Sequence, residues 1–239
     1  FGDVMRIFPI FLVIDVSESM AGDALIQLER GMRQITADLM QDPYALESAS
    51  ISVIVFAGRA RTLVPLTELM DFAPPHLPVG GGTGLGGALI HLMDEIDTRV
   101  VTSTPEHKGD WKPLVFLMTD GVPTDNPTQA IKRWREKYAH RVALVAVSIG
   151  GGGDKAVLSQ LTEDIIPFDD TAEGAFMKFI TWITNSVKSS TRSVTAGGGI
   201  TLTKMGDDVS GAGGRGMPFE AVDDRYAVFV GRCSGSKAP

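Results

Sequence analysis

Cysteine is nearly absent: Cys233 is the only one in 239 residues. A lone thiol excludes an intrachain disulfide framework and a zinc centre built on cysteines, and it fits a reducing, cytoplasmic setting. Histidine is scarce as well. His76, His91, His107 and His140 are scattered and lack the HExxH spacing of a zinc site. Positive charge is in deficit, with 22 Lys and Arg against 29 Asp and Glu and a formal net charge of -7. That balance disfavours unspecific attraction to nucleic acid or to an anionic membrane, and it favours a cationic partner, either a metal ion or a basic protein surface. No apolar run reaches the roughly 18 residues that a membrane-spanning helix needs. No secretory leader is read either, because the amino terminus runs straight into a strand-like segment.

Hydrophobic residues make up 44% of the chain, enough for one large α/β core and a small appendage. Apolar runs alternate with amphipathic stretches. "FPIFLVID" is almost continuously apolar, as suits a strand covered on both faces. The segment after it carries Leu25, Leu28, Met32, Ile35 and Leu39 at helical spacing. "ASISVIVFA" and "ARTLVPLTEL", separated by Gly58 and Arg59, read as a strand with a short antiparallel neighbour. "GLGGALIHLMDEIDTRV" reads as a helix, "KPLVFLMTDG" as a strand, "PTQAIKRWREKYAH" as a helix and "RVALVAVSIG" as a strand. "DKAVLSQLTED" (helix), "IIPFDD" (strand) and "AEGAFMKFITWITNSVKSS" (helix) complete the series. The pattern predicts a doubly wound α/β fold: a mostly parallel sheet with one antiparallel edge strand and helices on both faces, Rossmann-like in plan. Ligands of such sheets gather at the carboxyl ends of strands, where strand order reverses. The first and fourth strands are the natural neighbours across that reversal.

Three loops fall at such ends. "DVSES" follows the first strand, "TDG" closes the fourth, and "LPVGGGTGLGGAL" opens a helix. In the last, Gly82, Gly84 and Gly87 have the spacing of a dinucleotide-binding fingerprint, but the prolines of "DFAPPHLPVG" forbid the strand that fingerprint requires. The glycines instead let the backbone wrap closely, with Thr83 at the tip; taken alone, Thr83 reads as a helix N-cap. Together the loops offer Asp15, Ser17, Ser19, Thr83 and Asp120. All are oxygen donors, which suits Mg²⁺, or alternatively Mn²⁺, rather than zinc.

"DVSES", the Gly-flanked Thr83 and "TDG" resemble, in order, the metal-ion-dependent adhesion site of von Willebrand factor A domains, a likeness spanning roughly residues 6–190. Within that family "QDPYALESASISVIVF" and "GDWKPLVFLMTDGVPTD" look like segments of bacterial TerY-type proteins from tellurite-resistance gene clusters. The resemblance implies a cytosolic, non-enzymatic adaptor in a stress or phage-defence system, with a kinase or phosphatase of the same cluster as a candidate partner and phosphorylation as a candidate regulator. In the implied site Ser17 and Ser19 bind the ion directly, Thr83 directly or through water according to state, and Asp15 and Asp120 mostly through water or as second ligands. One position stays open for a carboxylate from a protein partner.

The family commonly has glycine between the two serines, where this chain has Glu18. Its side chain either points off the loop into solvent or lies near the open position. Asp125 admits the same two readings, besides capping the helix that follows it. Trp111 reads as packing a loop on the sheet, or as a partner anchor if it lies beside the metal face. Met32, Met40, Met93 and Met118 sit at core-like spacing, and Lys132–Tyr138 form a basic, solvated helical face.

The rival class is a Mg²⁺-dependent phosphotransfer enzyme with Asp15 as nucleophile. Haloacid-dehalogenase chemistry wants an aspartate two positions on, where Ser17 stands, and no lysine follows "VAVSIGGGG" as a receiver domain would require. After residue 190 the composition turns Gly/Ser-rich, so residues 1–190 read as the metal-site domain. Residues 191–239 read as an extension with one or two strands, "GITLTKM" and "RYAVFVGRC", or as the start of a truncated module.

Overall fold

The computed structural model describes residues 6–150, 152–168 and 175–203. Six strands form one sheet: β1 (Phe8–Asp15), β2 (Ala49–Phe56), β3 (Ala60–Glu68), β4 (Leu114–Thr119), β5 (Ala143–Ile149) and β6 (Ile165–Phe168). Their spatial order is β3-β2-β1-β4-β5-β6, with every pairing parallel except the edge pair β2–β3. β1 and β4 are neighbours, so strand order reverses between them, as the sequence predicts.

Every residue of β1, β2, β4 and β5 is buried. The period of two sends Ile10, Leu12 and Ile14 into one core, and Phe11 and Val13 into the other. The first core is closed by α1 (Asp23–Leu39) and α6 (Ala175–Thr195); the second by α3 (Leu85–Arg99), α4 (Thr128–Lys137) and α5 (Lys155–Leu158). α1 buries the five residues whose spacing marked it as a helix. Trp134 of α4 and Tyr138 just beyond it are fully buried, and Arg133 reaches Asp94 on α3 at 3.2 Å, so part of the basic run is paired and packed rather than merely solvated.

Some details depart from the sequence reading. A short helix, α2 (Pro43–Ser48), precedes β2; Asp42 caps it by accepting from the Tyr44 and Ala45 amides, with Pro43 at its first position. α5 ends at Leu158, well before the end of "DKAVLSQLTED". Met40 is 38% exposed just beyond α1, whereas Met32, Met93 and Met118 are core residues. Residues 200–203 join no strand. The chain turns at Gly197 (φ 89) and runs back along α6. There Ser190 Oγ donates to the Thr201 carbonyl and accepts from the Thr201 amide, Ser186 Oγ accepts from the Thr203 amide, and Trp182 Nε1 donates to the Thr203 carbonyl. Ile200 is buried beside them. "RYAVFVGRC" lies outside the described residues.

Candidate metal centre

Asp15 ends β1 with no exposed surface. One carboxylate oxygen accepts from the Ser17 amide at 2.9 Å, and the other accepts from the hydroxyl of Thr119, the last residue of β4, at 2.7 Å. Burial pushes the Asp15 carboxyl above its ordinary value; the bonds from Thr119 and Ser17 pull it back in part, and the nearby charge of Asp120 adds to the rise. A cation at this point would relieve the desolvated charge.

Beyond Asp15 a single 3₁₀ turn, residues 18–20, is anchored by buried Met20 and presents Ser19. Ser19 Oγ donates to Asp120 Oδ1 at 2.9 Å and lies 3.1 Å from Ser17 Oγ. With the Ser19 proton on Asp120, Ser17 is the donor of that pair. Ser17 and Asp15 are buried while Ser19 is exposed, so the oxygens run from the sheet end to the surface.

Thr83 approaches from the other side on a tightly held loop. The Gly80 amide donates to Val16 O at 2.8 Å, the Gly58 amide to Gly81 O at 2.6 Å and the Gly84 amide to Ala57 O at 2.5 Å, which stitches the loop over the ends of β1 and β2. The closeness needs glycine: a side chain at Gly80 would meet Ala57 Cβ at 2.8 Å, and Gly82 has φ 79. Thr83 and Thr124 bond reciprocally, the Thr83 amide to Thr124 Oγ1 and the Thr124 amide to Thr83 O, both at 2.9 Å. The Thr83 hydroxyl lies over Gly121, where an added Cβ would meet it at 3.2 Å. Thr83 is 6% exposed, and no hydrogen bond among the described residues uses its hydroxyl. It does not cap α3, whose N-cap is Gly84.

Asp125 provides that cap, from a different loop. Its two oxygens accept from the Gly86 and Gly87 amides at 3.1 and 2.9 Å. The sequence assigned Asp125 to the helix that follows it, but α4 starts after Pro127, with the Thr128 amide bonded to Asn126 Oδ1. Trp111 is also relocated. Its amide donates to Ile7 O, Arg6 stacks 3.4 Å from its ring, and it precedes β4. It therefore sits at the amino ends of the strands, across the sheet from the candidate centre, and is no anchor beside it.

Two supporting threonines, Thr119 and Thr124, were not singled out in the sequence, although "TDGVPT" places both around Asp120. A third polar residue extends the row. Thr119 pairs in register with Ser148 on β5, and Ser148 Oγ is buried without a hydrogen bond among the described residues. Gly153 walls it off, since an added Cβ there would come within 2.7 Å of the hydroxyl. His76 pairs with Glu29 and His91 bonds Thr62, and neither contacts the five oxygen donors. Among the described residues no three His, Cys, Asp or Glu side chains group as a metal centre. What the three loops gather is two carboxylates and three hydroxyls.

A family model for the von Willebrand factor type A domain matches residues 10–178. No curated protein matches the chain. Similar solved structures include the pilus adhesin SpaC of Lactobacillus rhamnosus GG in its open conformation, at TM-score 0.60 and 13% identity, covering 78% of this chain and 30% of that one. A von Willebrand factor type A protein from Catenulispora acidiphila matches at TM-score 0.56 and 16% identity, over 77% and 43%. Proximal thread matrix protein 1 from the mussel byssus, in a form with a zinc-occupied MIDAS (adhesion-site) motif, matches at TM-score 0.52 and 20% identity, over 79% and 47%. The chain thus spans less than half the length of each, and at these identities the likeness is one of fold.

Proposed function

The chain belongs to the von Willebrand factor type A family, and on that premise we propose that it is a non-enzymatic adaptor whose Asp15, Ser17, Ser19, Thr83 and Asp120 hold a divalent cation, Mg²⁺ or Mn²⁺, for recognition of a protein partner. The observation that carries the proposal is the convergence of two carboxylates and three hydroxyls from three loops at one end of the sheet, with spacings close to those of an octahedral ion. An octahedral Mg²⁺ with bonds of about 2.0–2.1 Å sets adjacent ligands about 2.8–3.0 Å apart, whereas a tetrahedral site with similar bonds needs about 3.3–3.5 Å. Ser17 Oγ to Ser19 Oγ is 3.1 Å and Ser19 Oγ to Asp120 Oδ1 is 2.9 Å. A hard ion can take the place of those two hydrogen bonds with little movement of the oxygens. The Thr83 hydroxyl, on a residue 6% exposed and used by no hydrogen bond among the described residues, is a further oxygen ligand.

The residues divide the work by burial. Asp15, fixed by Thr119 and by the Ser17 amide, sets the negative charge at the base of the site. Ser17 and Ser19 present neutral oxygens, which add no charge to that of the two carboxylates, so a bound divalent ion leaves the site about neutral. When bound, the ion supplies a Lewis-acidic position that an acidic side chain of a partner completes. The loop of Thr83, bonded both to β2's end and to Thr124, can pass a change at the ion to the surface around it.

The finer reading places the chain with TerY-type proteins, cytoplasmic, in a tellurite-resistance, stress or phage-defence system, with a kinase or phosphatase as partner. The segments "QDPYALESASISVIVF" and "GDWKPLVFLMTDGVPTD" support it. It also divides the chain at residue 190, with 191–239 as an extension whose first part finishes α6 and folds back on it. No helix among the described residues is long and apolar enough to cross a membrane.

The test is titration of Mg²⁺ and Mn²⁺ into chelator-treated protein, beside a variant carrying Ser17→Ala and Ser19→Ala. An ion at a hundred times its Kd stabilises by about 2.7 kcal/mol, or about 5–11 °C in Tm for a domain of this size. The shift is expected in the native chain and absent from the variant. Equal shifts in both would refute the assignment.

A further inference from the structure

We propose that Glu18 is a built-in substitute for the partner's acid, covering the open position of the ion until an external carboxylate displaces it. The inference rests on the metal reading above and adds a regulator to that site.

Three observations lead to it. The 3₁₀ turn sets Glu18 between Ser17 and Ser19, the two hydroxyls of the first loop. Its side chain then leans across to the second loop: Oε1 lies 3.5 Å from where a Cβ on Gly81 would stand, two residues before Thr83. Glu18, although exposed, therefore lies against the Gly81 backbone of the loop that carries Thr83 rather than pointing away from it. Finally, no Lys, Arg or His among the described residues forms an ion pair with Glu18. An acid beside the Thr83 loop with no ion pair among the described residues is available to a cation held between the loops.

Charge counting gives the consequence. Asp15 and Asp120 together neutralise a divalent ion, so an incoming carboxylate meets a site with no net charge. Glu18 turned inward makes the total negative and repels the same acid. A carboxylate tethered by a few bonds competes at an effective concentration of order millimolar. Weak external acids are thereby excluded, and a partner must bring binding energy from elsewhere on its surface. Glu18 is a specificity device that filters solvent carboxylates from a docked one.

Mn²⁺ reports this directly, because the relaxation of water protons counts the exchangeable waters on the bound ion. Glu18→Gln and Glu18→Asp, the latter too short to reach, are compared with the native chain, each loaded with Mn²⁺ and titrated with acetate. Both variants are expected to gain one water on the ion, to bind Mn²⁺ more weakly by roughly tenfold, and to take up acetate at lower concentration than the native chain. Saturable Mn²⁺ binding with the same water count and affinity in all three would overturn the role of Glu18 and leave the metal site standing. Absence of saturable Mn²⁺ binding by the native chain would overturn the metal reading and this inference with it.

Discussion

Replacing Asp125 by alanine tests how the loops of the candidate centre are held together. The carboxylate accepts from the Gly86 and Gly87 amides, while the N-cap position itself, Gly84, offers no side-chain acceptor. The substitution orphans two amides of the first turn and removes a negative charge from the positive end of the α3 dipole. Losing a capping side chain costs about 0.5–2 kcal/mol. Gly87 is exposed, so water restores part of the bonding there, and the lower half of that range applies if the loop relaxes. The expected fall in Tm is about 1–8 °C. Hydrogen exchange localises the effect: the Gly86 and Gly87 amides lose protection, and Mg²⁺ affinity falls because Thr83 and Thr124 shift with the loose helix end. Unchanged protection at Gly86 and Gly87 would refute the cap. Lost protection at the start of α4 instead would restore the assignment that the sequence suggests.

Asp15→Asn keeps both local bonds, since an amide can accept from the Ser17 amide and donate to Thr119 Oγ1, but it removes the buried charge. The Asp15 carboxyl is raised above its ordinary 3.8, chiefly by burial, so the metal-free fold is favoured in acid and loses that advantage as pH rises through the folded-state value. The variant's melting point should match that of the metal-free native chain at low pH and exceed it at neutral pH, with no response to Mg²⁺; parallel curves at all pH values would refute this. Gly152→Ala puts a Cβ 2.1 Å from the Asp120 carbonyl, so the backbone must move. We expect a loss of about 1–3 kcal/mol in denaturant unfolding together with weakened Mg²⁺ binding, and a native-like variant would refute the contact. Ser190→Ala removes both bonds to Thr201, with an expected loss of about 1 kcal/mol, faster exchange of the Thr201 and Thr203 amides and unchanged Mg²⁺ affinity.

The sheet was legible because its central strands are buried on both faces and read as unbroken apolar runs, and α1 because its five core residues recur at one period. The adjacency of β1 and β4 followed from placing "DVSES" and "TDG" at a shared switch point. What escaped the sequence were relations between segments distant in the chain. Asp125 caps a helix nearly forty residues earlier, and local capping rules look only forward from the capping residue. Thr83 is freed from capping by that same aspartate. The position of Trp111 could have been inferred: a residue just before β4 lies at the strand's amino end, opposite the loops that follow carboxyl ends. α2 also left a signal, an aspartate before a proline, but six residues are too few to show a helical period.

The return of residues 200–203 along α6 sets a ruler against a ruler. Ser190 and Ser186 are four residues apart on a helix, about 6.0 Å along its axis, and they grip Thr201 and Thr203, two residues apart in an extended chain, about 6.6 Å. The two scales nearly agree, so two successive grips fit. Each further one would add about 0.6 Å of misalignment, until a serine hydroxyl no longer met its peptide group. A helix face of this kind can clasp a short extended segment firmly but cannot zip up a long one, and the length of the clasp is set by geometry before any particular side chain is chosen.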